Sequence, residues 1–594
     1  MKNLLLSNCG PAQDTEARRP ALSELLEKRF PLHEHTENAR LISGRDYLER
    51  HPGATVKYRD LPNTSIDGFP IYIARDESGG LEATFSGNTH AMIVGSTGSG
   101  KTTGFVIPFL NWMSSKKNKP SIVVSDPKNE LNRLTANRFR DKGYNVLWLN
   151  FQDYTASDCW NPLTRAYRLY QKYLNTENEV SVVTTGGKPY NRFRGEIFKR
   201  QKDLDDAISA ARETCIAEID SMLGSISKAI SPTKKADDPY WEEIASLFIK
   251  GILWAMLEDS RDDGTGSPKI TESNFNFDTM IKIYDSFTNE GKSLNDHGYF
   301  TSRDYNNSIA YQLVKTSILE LSAQTTLSCI ISSFAEKVKM LRDTSVKRIT
   351  CTNTVNFYNL DDIDRPTVIF ISYRDEDSLH YSTIGMFISD LYTSLIETAR
   401  KKGGELERPI YFMLDEFGNF PQFKDFEKVI SACRSRNIWF MLIVQSYAQL
   451  NRVYGNDTAD IIIDNLNMHI FFGSCNLETK SNFSKECGMH EVTSPLSAIN
   501  GASDDIEYFS SDLVPLIPVS KLSEIDDGEC IITQLRGGVI WSRIERSYTC
   551  PEYDNGISEL MRRKAPVKFF DPKYTYEPSK PKSKYGRFGY GIFD

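Results

Sequence analysis

One string of eight residues constrains this chain more than any other: Gly95-Ser96-Thr97-Gly98-Ser99-Gly100-Lys101-Thr102, a complete G-x-x-x-x-G-K-T. It follows a short apolar run, Ala91-Met92-Ile93-Val94, and precedes a helical pattern. A strand, glycine loop and helix in that order turn backbone N–H groups toward a phosphate chain and add the positive end of the helix dipole. Lys101 is spaced to reach β- and γ-phosphates, and the Thr102 hydroxyl to ligate Mg²⁺. Together with Thr103, these residues form the candidate nucleotide-binding segment, and ATP with Mg²⁺ is the expected cofactor pair.

Further apolar runs recur at Ser121–Ser125, Val146–Leu149, Thr367–Ser372, Ile410–Leu414, Ile438–Val444, Met468–Phe472 and Cys530–Thr533. They are rich in Val, Ile and aromatics and do not alternate with polar residues, as expected of parallel strands covered on both faces. Helical stretches such as Asp425–Arg436 separate most of them, so the fold class is α/β. From about Arg200 to Arg342 the texture changes to long amphipathic helical patterns, notably Leu204–Ile230, Tyr240–Glu258 and Ile318–Leu341. This reads as an all-α domain inserted into the α/β domain. The expected segments are a polar, loosely built lead-in at 1–85, a first α/β part at 86–200, helices at 201–344, a second α/β part at 345–550 and a tail at 551–594. Asn175–Arg200 is polar and reads as a loop or surface insertion.

ATP hydrolysis needs an acid to support the metal and a group to activate water. The run Ile410–Leu414 ends in Asp415-Glu416. Asp415 is expected to support Mg²⁺ and Glu416 to activate the attacking water. Strand ends often carry carboxylates; the pairing with the glycine loop is what gives this one meaning. A Glu directly after the Asp favours RecA-like ATPases over GTPase switches. Gln445, at the end of the next run, is placed either to sense the γ-phosphate or simply to face solvent. The preceding helix ends in Arg434-Ser435-Arg436, and either arginine could stabilise transferred charge in a neighbouring subunit, with Arg434 the first choice. An exposed cation complementing the helix dipole is the plain alternative.

Composition narrows the class. Among 594 residues, 71 Lys+Arg against 79 Asp+Glu leave a net charge of −8, which argues against a protein coated in positive charge. With 40% hydrophobic and 25% charged residues the chain is neither collagen-like nor wholly disordered. No apolar stretch reaches the roughly 20 residues of a spanning helix. The ten cysteines form no Cys-x-x-Cys pair and the eight histidines no metal-like spacing, the pattern of a reduced, cytoplasmic protein without a structural metal.

The motif set resembles the coupling-protein family of type IV secretion, hexameric ATPases that feed DNA into conjugation channels. The residues that carry the resemblance are Gly95–Thr102, Ser125-Asp126-Pro127-Lys128-Asn129-Glu130-Leu131, Cys159-Trp160-Asn161-Pro162-Leu163, Leu414-Asp415-Glu416-Phe417 and Gln445-Ser446-Tyr447-Ala448-Gln449-Leu450. The resemblance implies a RecA-like P-loop ATPase domain, an inserted all-α domain and a ring, in which Lys101, Glu416, Gln445 and Arg434 are catalytic and Thr102 and Asp415 hold Mg²⁺. It implies as partners DNA brought by a relaxase, a membrane channel or anchor protein, and further copies of the chain, probably as a hexamer. Typical members begin with a membrane hairpin that is missing here, so the expected location is the cytoplasm, held at the membrane's inner face through a partner. Pro108, inside the helix after the loop, is expected to kink it.

Two stretches mix basic and aromatic residues in a way that suits nucleic acid. Gly187–Lys202 holds Lys188, Arg192, Arg194, Lys199, Arg200 and Lys202 around Tyr190 and Phe193, and the tail carries Arg562, Arg563 and Lys564 before Phe569 and Phe570. A solvated linker and tail is the alternative for each. Two other functions fit the same motifs: a soluble DNA translocase of the HerA/FtsK type, and a scaffold that uses ATP only to assemble.

Overall fold

A computed structural model describes residues 41–185, 188–231, 240–262, 268–288, 298–319, 324–374, 380–420, 422–423, 425–495, 509–535, 537–554 and 556. Contacts divide the chain into two compact units. The first holds residues 1–119 and 440–554, the second residues 120–439 and 555–594. The tail motif at 562–570 lies outside the described residues.

In the first unit the strand Ala91–Val94 lies between Ile438–Val444 and Met468–Phe471, parallel to both. Beyond Met468–Phe471 come Glu529–Gln534 and Gly538–Arg543, both antiparallel to their predecessors, and then Leu41–Ser43, parallel to Gly538–Arg543. All four residues of Ala91–Val94 and all seven of Ile438–Val444 are buried. Runs buried on both faces have no polar alternation to lose, which is why the sequence shows them as continuous apolar blocks.

Residues 41–85 do not form a loose lead-in. Besides the edge strand Leu41–Ser43 they contain the helix Gly44–Arg50, capped by the Ser43 side chain, and an antiparallel sheet of Thr55–Lys57, Leu81–Phe85 and Pro70–Arg75. Ile73, Leu81, Ala83 and Phe85 pack in one cluster with Trp112 and Tyr553. The Trp112 indole N–H donates to the Tyr553 hydroxyl at 2.7 Å. These strands are short and several of their apolar residues stand singly among polar ones, so their signal falls below that of a covered parallel strand.

The second unit is built on four parallel strands in the order Ile410–Leu414, Ser121–Asp126, Thr367–Ser372, Asn145–Asn150. Between Gln201 and Thr350 every described regular element is helical, including Gln201–Ile230 and Tyr240–Glu258. Asn175–Arg200 differs from the expected loop. It forms a small antiparallel sheet of Ser181–Thr185, Lys188–Phe193 and Glu196–Phe198, anchored by the buried Phe193.

The Trp160-Asn161-Pro162 turn ties the helical segment to the strands. Trp160 is fully buried and its ring N–H donates to the Tyr358 hydroxyl at 2.9 Å. Asn161 donates from its side-chain amide to the Phe275 carbonyl at 2.8 Å and from its backbone N–H to the Asn353 side chain at 2.9 Å. Among the described residues no helix is long and apolar enough to cross a membrane.

Candidate functional site

In the first unit the glycine loop is sewn to both strands beside Ala91–Val94. Gly95 N–H donates to the Val444 carbonyl at 3.0 Å and Ser96 N–H to the Gly473 carbonyl at 2.9 Å. Cys475 N–H returns a bond to the Ser96 hydroxyl at 3.0 Å. These bonds bring Gln445, one residue past Val444, beside the loop, where its own N–H donates to the Gln449 side chain at 2.9 Å.

Two positions in the loop demand glycine. Gly98 and Gly100 have φ of +81° and +86°, and a Cβ on Gly100 would lie 1.6 Å from a nitrogen of the Arg546 guanidinium. Lys101, buried, points its ammonium into the loop and donates to the carbonyls of Gly95 and Ser96. The Ser99 hydroxyl is buried with no hydrogen-bond partner among the described residues. An inward ammonium, an unmatched hydroxyl and a backbone curled by glycines are the donor set that a polyphosphate with magnesium requires.

The helix that follows begins unusually. Thr102–Val106 is a π-helical turn and Ile107–Ser115 an α-helix with Pro108 in its first turn. Ile107 N–H donates back to the Thr102 carbonyl, five residues earlier. A proline inside an α-helix loses a donor and crowds the carbonyl four residues back. The wider π turn, with Gly104 at that position, accommodates the ring in place of the expected kink.

Arg546 was not legible from the sequence. Buried, it donates from one Nη to the Gly100 carbonyl at 2.8 Å and to the Thr103 hydroxyl at 3.4 Å, while the other pairs with Asp527. It lies 446 positions from Gly100 and belongs to no motif; only the fold joins them.

In the second unit Asp415 and Glu416 follow the buried strand Ile410–Leu414. The Asp415 carbonyl accepts from the Ser125 hydroxyl at 2.9 Å and the Tyr373 hydroxyl at 3.3 Å, and its carboxylate accepts Glu416 N–H at 2.9 Å. Glu416 has φ +53°, a left-handed conformation that costs a non-glycine residue about 1 kcal/mol or more. Such strain at the residue expected to activate water holds the acid pair in one backbone geometry.

Asp126 lies at the end of the neighbouring strand. Its carboxylate caps the helix Glu130–Asp141, accepting N–H bonds from Glu130, Leu131 and Asn132 at 3.0, 3.2 and 2.9 Å. Burial, opposed by these bonds and aided by repulsion from Asp415, raises its pKa to about 6. Arg434 is exposed in a short 3₁₀ turn, Arg434–Arg436, that follows the helix Phe426–Cys433, whereas Arg436 folds back onto the Ala432 carbonyl. Of the basic residues at 188–202, Arg194 pairs with Glu179 at 2.8 Å and Arg200 with Asp203 at 2.6 Å, while Lys188, Arg192, Lys199 and Lys202 are exposed.

The sheet, the glycine loop and the inward lysine define a P-loop nucleotide-binding protein of the α/β class. Residues 71–512 match the family described as type IV secretory system conjugative DNA transfer, and the chain belongs to that family. It is 21% identical over 450 residues to the VirD4 protein of Agrobacterium fabrum and 22% identical over 420 residues to the conjugal transfer protein TraG of Escherichia coli. These alignments cover 75% and 68% of this chain, and 56% of each of the two relatives.

Among solved structures it is similar to the bacterial conjugative coupling protein TrwBdeltaN70 in a trigonal form with sulphate, with a TM-score of 0.56, 12% identity, and 89% and 99% of the two chains covered. The plasmid coupling protein TrwB in complex with ADP and Mg²⁺ gives a TM-score of 0.55 at 13% identity, with 87% and 95% covered. At such identities the likeness is one of fold: a RecA-like P-loop domain with an inserted helical domain.

Proposed function

We propose that this chain hydrolyses ATP and couples hydrolysis to delivering DNA, or DNA carried by a relaxase, into a type IV secretion channel. One observation carries the reading: a chain of the conjugative DNA-transfer family retains a complete glycine loop with its lysine turned inward. In this account the loop of one unit and the acid pair of the other close on the same nucleotide. Magnesium, held through Thr102 and Asp415, would neutralise charge on the β- and γ-phosphates. Lys101 exchanges its two backbone carbonyls for phosphate oxygens, and the loop N–H groups bind the remainder. Glu416 takes a proton from the attacking water, and Gln445 orients that water beside the γ-phosphate. Arg434, exposed at its 3₁₀ turn, acts on the site of a neighbouring copy, which makes a ring, a hexamer by family resemblance, the working form. The protein is held at the inner face of the membrane by a channel or anchor partner.

The test is steady-state ATP hydrolysis with and without DNA. DNA should stimulate the rate, and Lys101→Ala and Glu416→Gln should each abolish it. Hydrolysis that DNA leaves unchanged would point to an assembly scaffold instead. Capture from the native cell should recover a relaxase and a channel component; chromosome-processing partners would favour a translocase of the HerA/FtsK type.

A further inference from the structure

A cleft of about 500 Å³ in the first unit is built by the helices Tyr447–Tyr454, Asn456–Asp464 and Leu477–Glu486 with the ends of the strands Met468–Phe471 and Glu529–Gln534. Its charged lining residues are all acidic: Asp460, Asp464 and Glu486. Charge alone makes no site, but the floor adds a second feature. His469 is 7% exposed; its Nδ1 bonds Glu486 Oε2 at 2.7 Å, and its Nε2 has no partner among the described residues. A carboxylate only accepts, so Nδ1 carries the proton in the neutral ring and Nε2 presents a lone pair. The Thr533 hydroxyl donates to the other Glu486 oxygen and fixes that carboxylate from behind. Asn451 adds another unpartnered acceptor, its Oδ1. The walls between these polar groups include Ile463, Leu466 and Leu535.

Acceptors at the floor, carboxylates at the rim and aliphatic walls between them suit a ligand with the opposite pattern: a long apolar stem ending in a planar fork of donors. That is an arginine side chain. We propose that this cleft binds a guanidinium group presented by a peptide. The site uses neither the glycine loop nor the acid pair and stands independently of nucleotide chemistry. A lysine has the stem and the charge but not the planar fork, so the acceptor arrangement favours arginine over lysine.

The test is fluorescence polarisation of the full-length protein with a labelled acetyl-Gly-Arg-Gly-amide peptide and its Lys counterpart. The Arg peptide should bind at least tenfold more tightly, and Asp460→Asn with Asp464→Asn, or His469→Gln alone, should weaken it about tenfold. ATP binding by each variant, unchanged from wild type, shows that the fold persists. The arginine can come from a separate peptide or from this chain's own Arg562, Arg563 and Arg587. If the full-length chain with those three changed to Gln binds the probe at least tenfold more tightly than wild type, the chain fills its own cleft; equal binding assigns the cleft to another molecule. Equal affinity for the two peptides, no binding by either form of the chain, or binding that ignores the cleft substitutions would overturn the proposal.

Discussion

At the scale of single residues, the account separates groups that meet the phosphates from those that hold them in place. Lys101→Ala removes the inward ammonium and should cost on the order of 10²–10³ in hydrolysis rate, as losing a preorganised charge does elsewhere. Glu416→Gln keeps the shape but not the base, and should lower kcat by about 10²–10⁴ while ATP still binds. Wild-type hydrolysis by that variant would remove Glu416 from its role. Arg546 is a positioning residue: it acts through the Gly100 carbonyl and the Thr103 hydroxyl. Truncating it leaves those groups short of a partner, at about 1–3 kcal/mol. Arg546→Ala should therefore raise KM for ATP roughly tenfold or more with a smaller effect on kcat, and Arg546→Lys should restore part of it. Asp527, mostly exposed, should matter far less to ATP affinity than Arg546 does. An Arg546→Ala protein with unchanged KM would reduce that contact to packing.

At the scale of elements, Asp126 couples a helix cap to pH. Its pKa of about 6 lies above the ordinary carboxylate value of 3.8, so folding favours its protonated form. That contribution is complete below about pH 4 and is lost as pH rises through 6, on the order of 3 kcal/mol in all. The thermal midpoint of wild type, measured against Asp126→Asn without nucleotide, should fall between pH 4 and pH 7; a difference flat with pH would contradict this. The Trp160 turn makes a purely structural prediction. Trp160→Ala empties a fully buried site and should destabilise its unit by about 3–5 kcal/mol.

The same scale shows what the sequence could reveal. Runs such as Thr367–Ser372 and Ile410–Leu414 matched their strands end to end because burial on both faces leaves an uninterrupted apolar signal. The three-residue strands Leu41–Ser43 and Thr55–Lys57 gave none, since their stability comes from partners far along the chain. The π turn before Pro108 was also hidden: sequence exposes the conflict a proline creates, not which backbone adjustment resolves it. Among site residues the glycine loop was legible because its chemistry is local. Arg546 and the Ser125 and Tyr373 hydroxyls on the Asp415 carbonyl were not, because they act across the fold.

At the scale of the whole molecule, the proposed motor must hold DNA although its net charge is −8. Basic residues must then be concentrated locally, and the Lys- and Arg-bearing tail is the candidate. Deleting residues 561–594 should weaken DNA binding and flatten its dependence on salt, since each phosphate contact contributes to that slope. An unchanged slope would return the tail to a solvated linker.

The central claim is that the glycine loop at 95–102 and the acid pair at 415–416 serve one nucleotide. A crystal structure of the chain with magnesium and a non-hydrolysable ATP analogue tests it most directly. The account expects Lys101 on the β- and γ-phosphates and Asp415 touching the same magnesium, directly or through one of its waters. A nucleotide seated on the loop with Asp415 and Glu416 remote from its metal would contradict it.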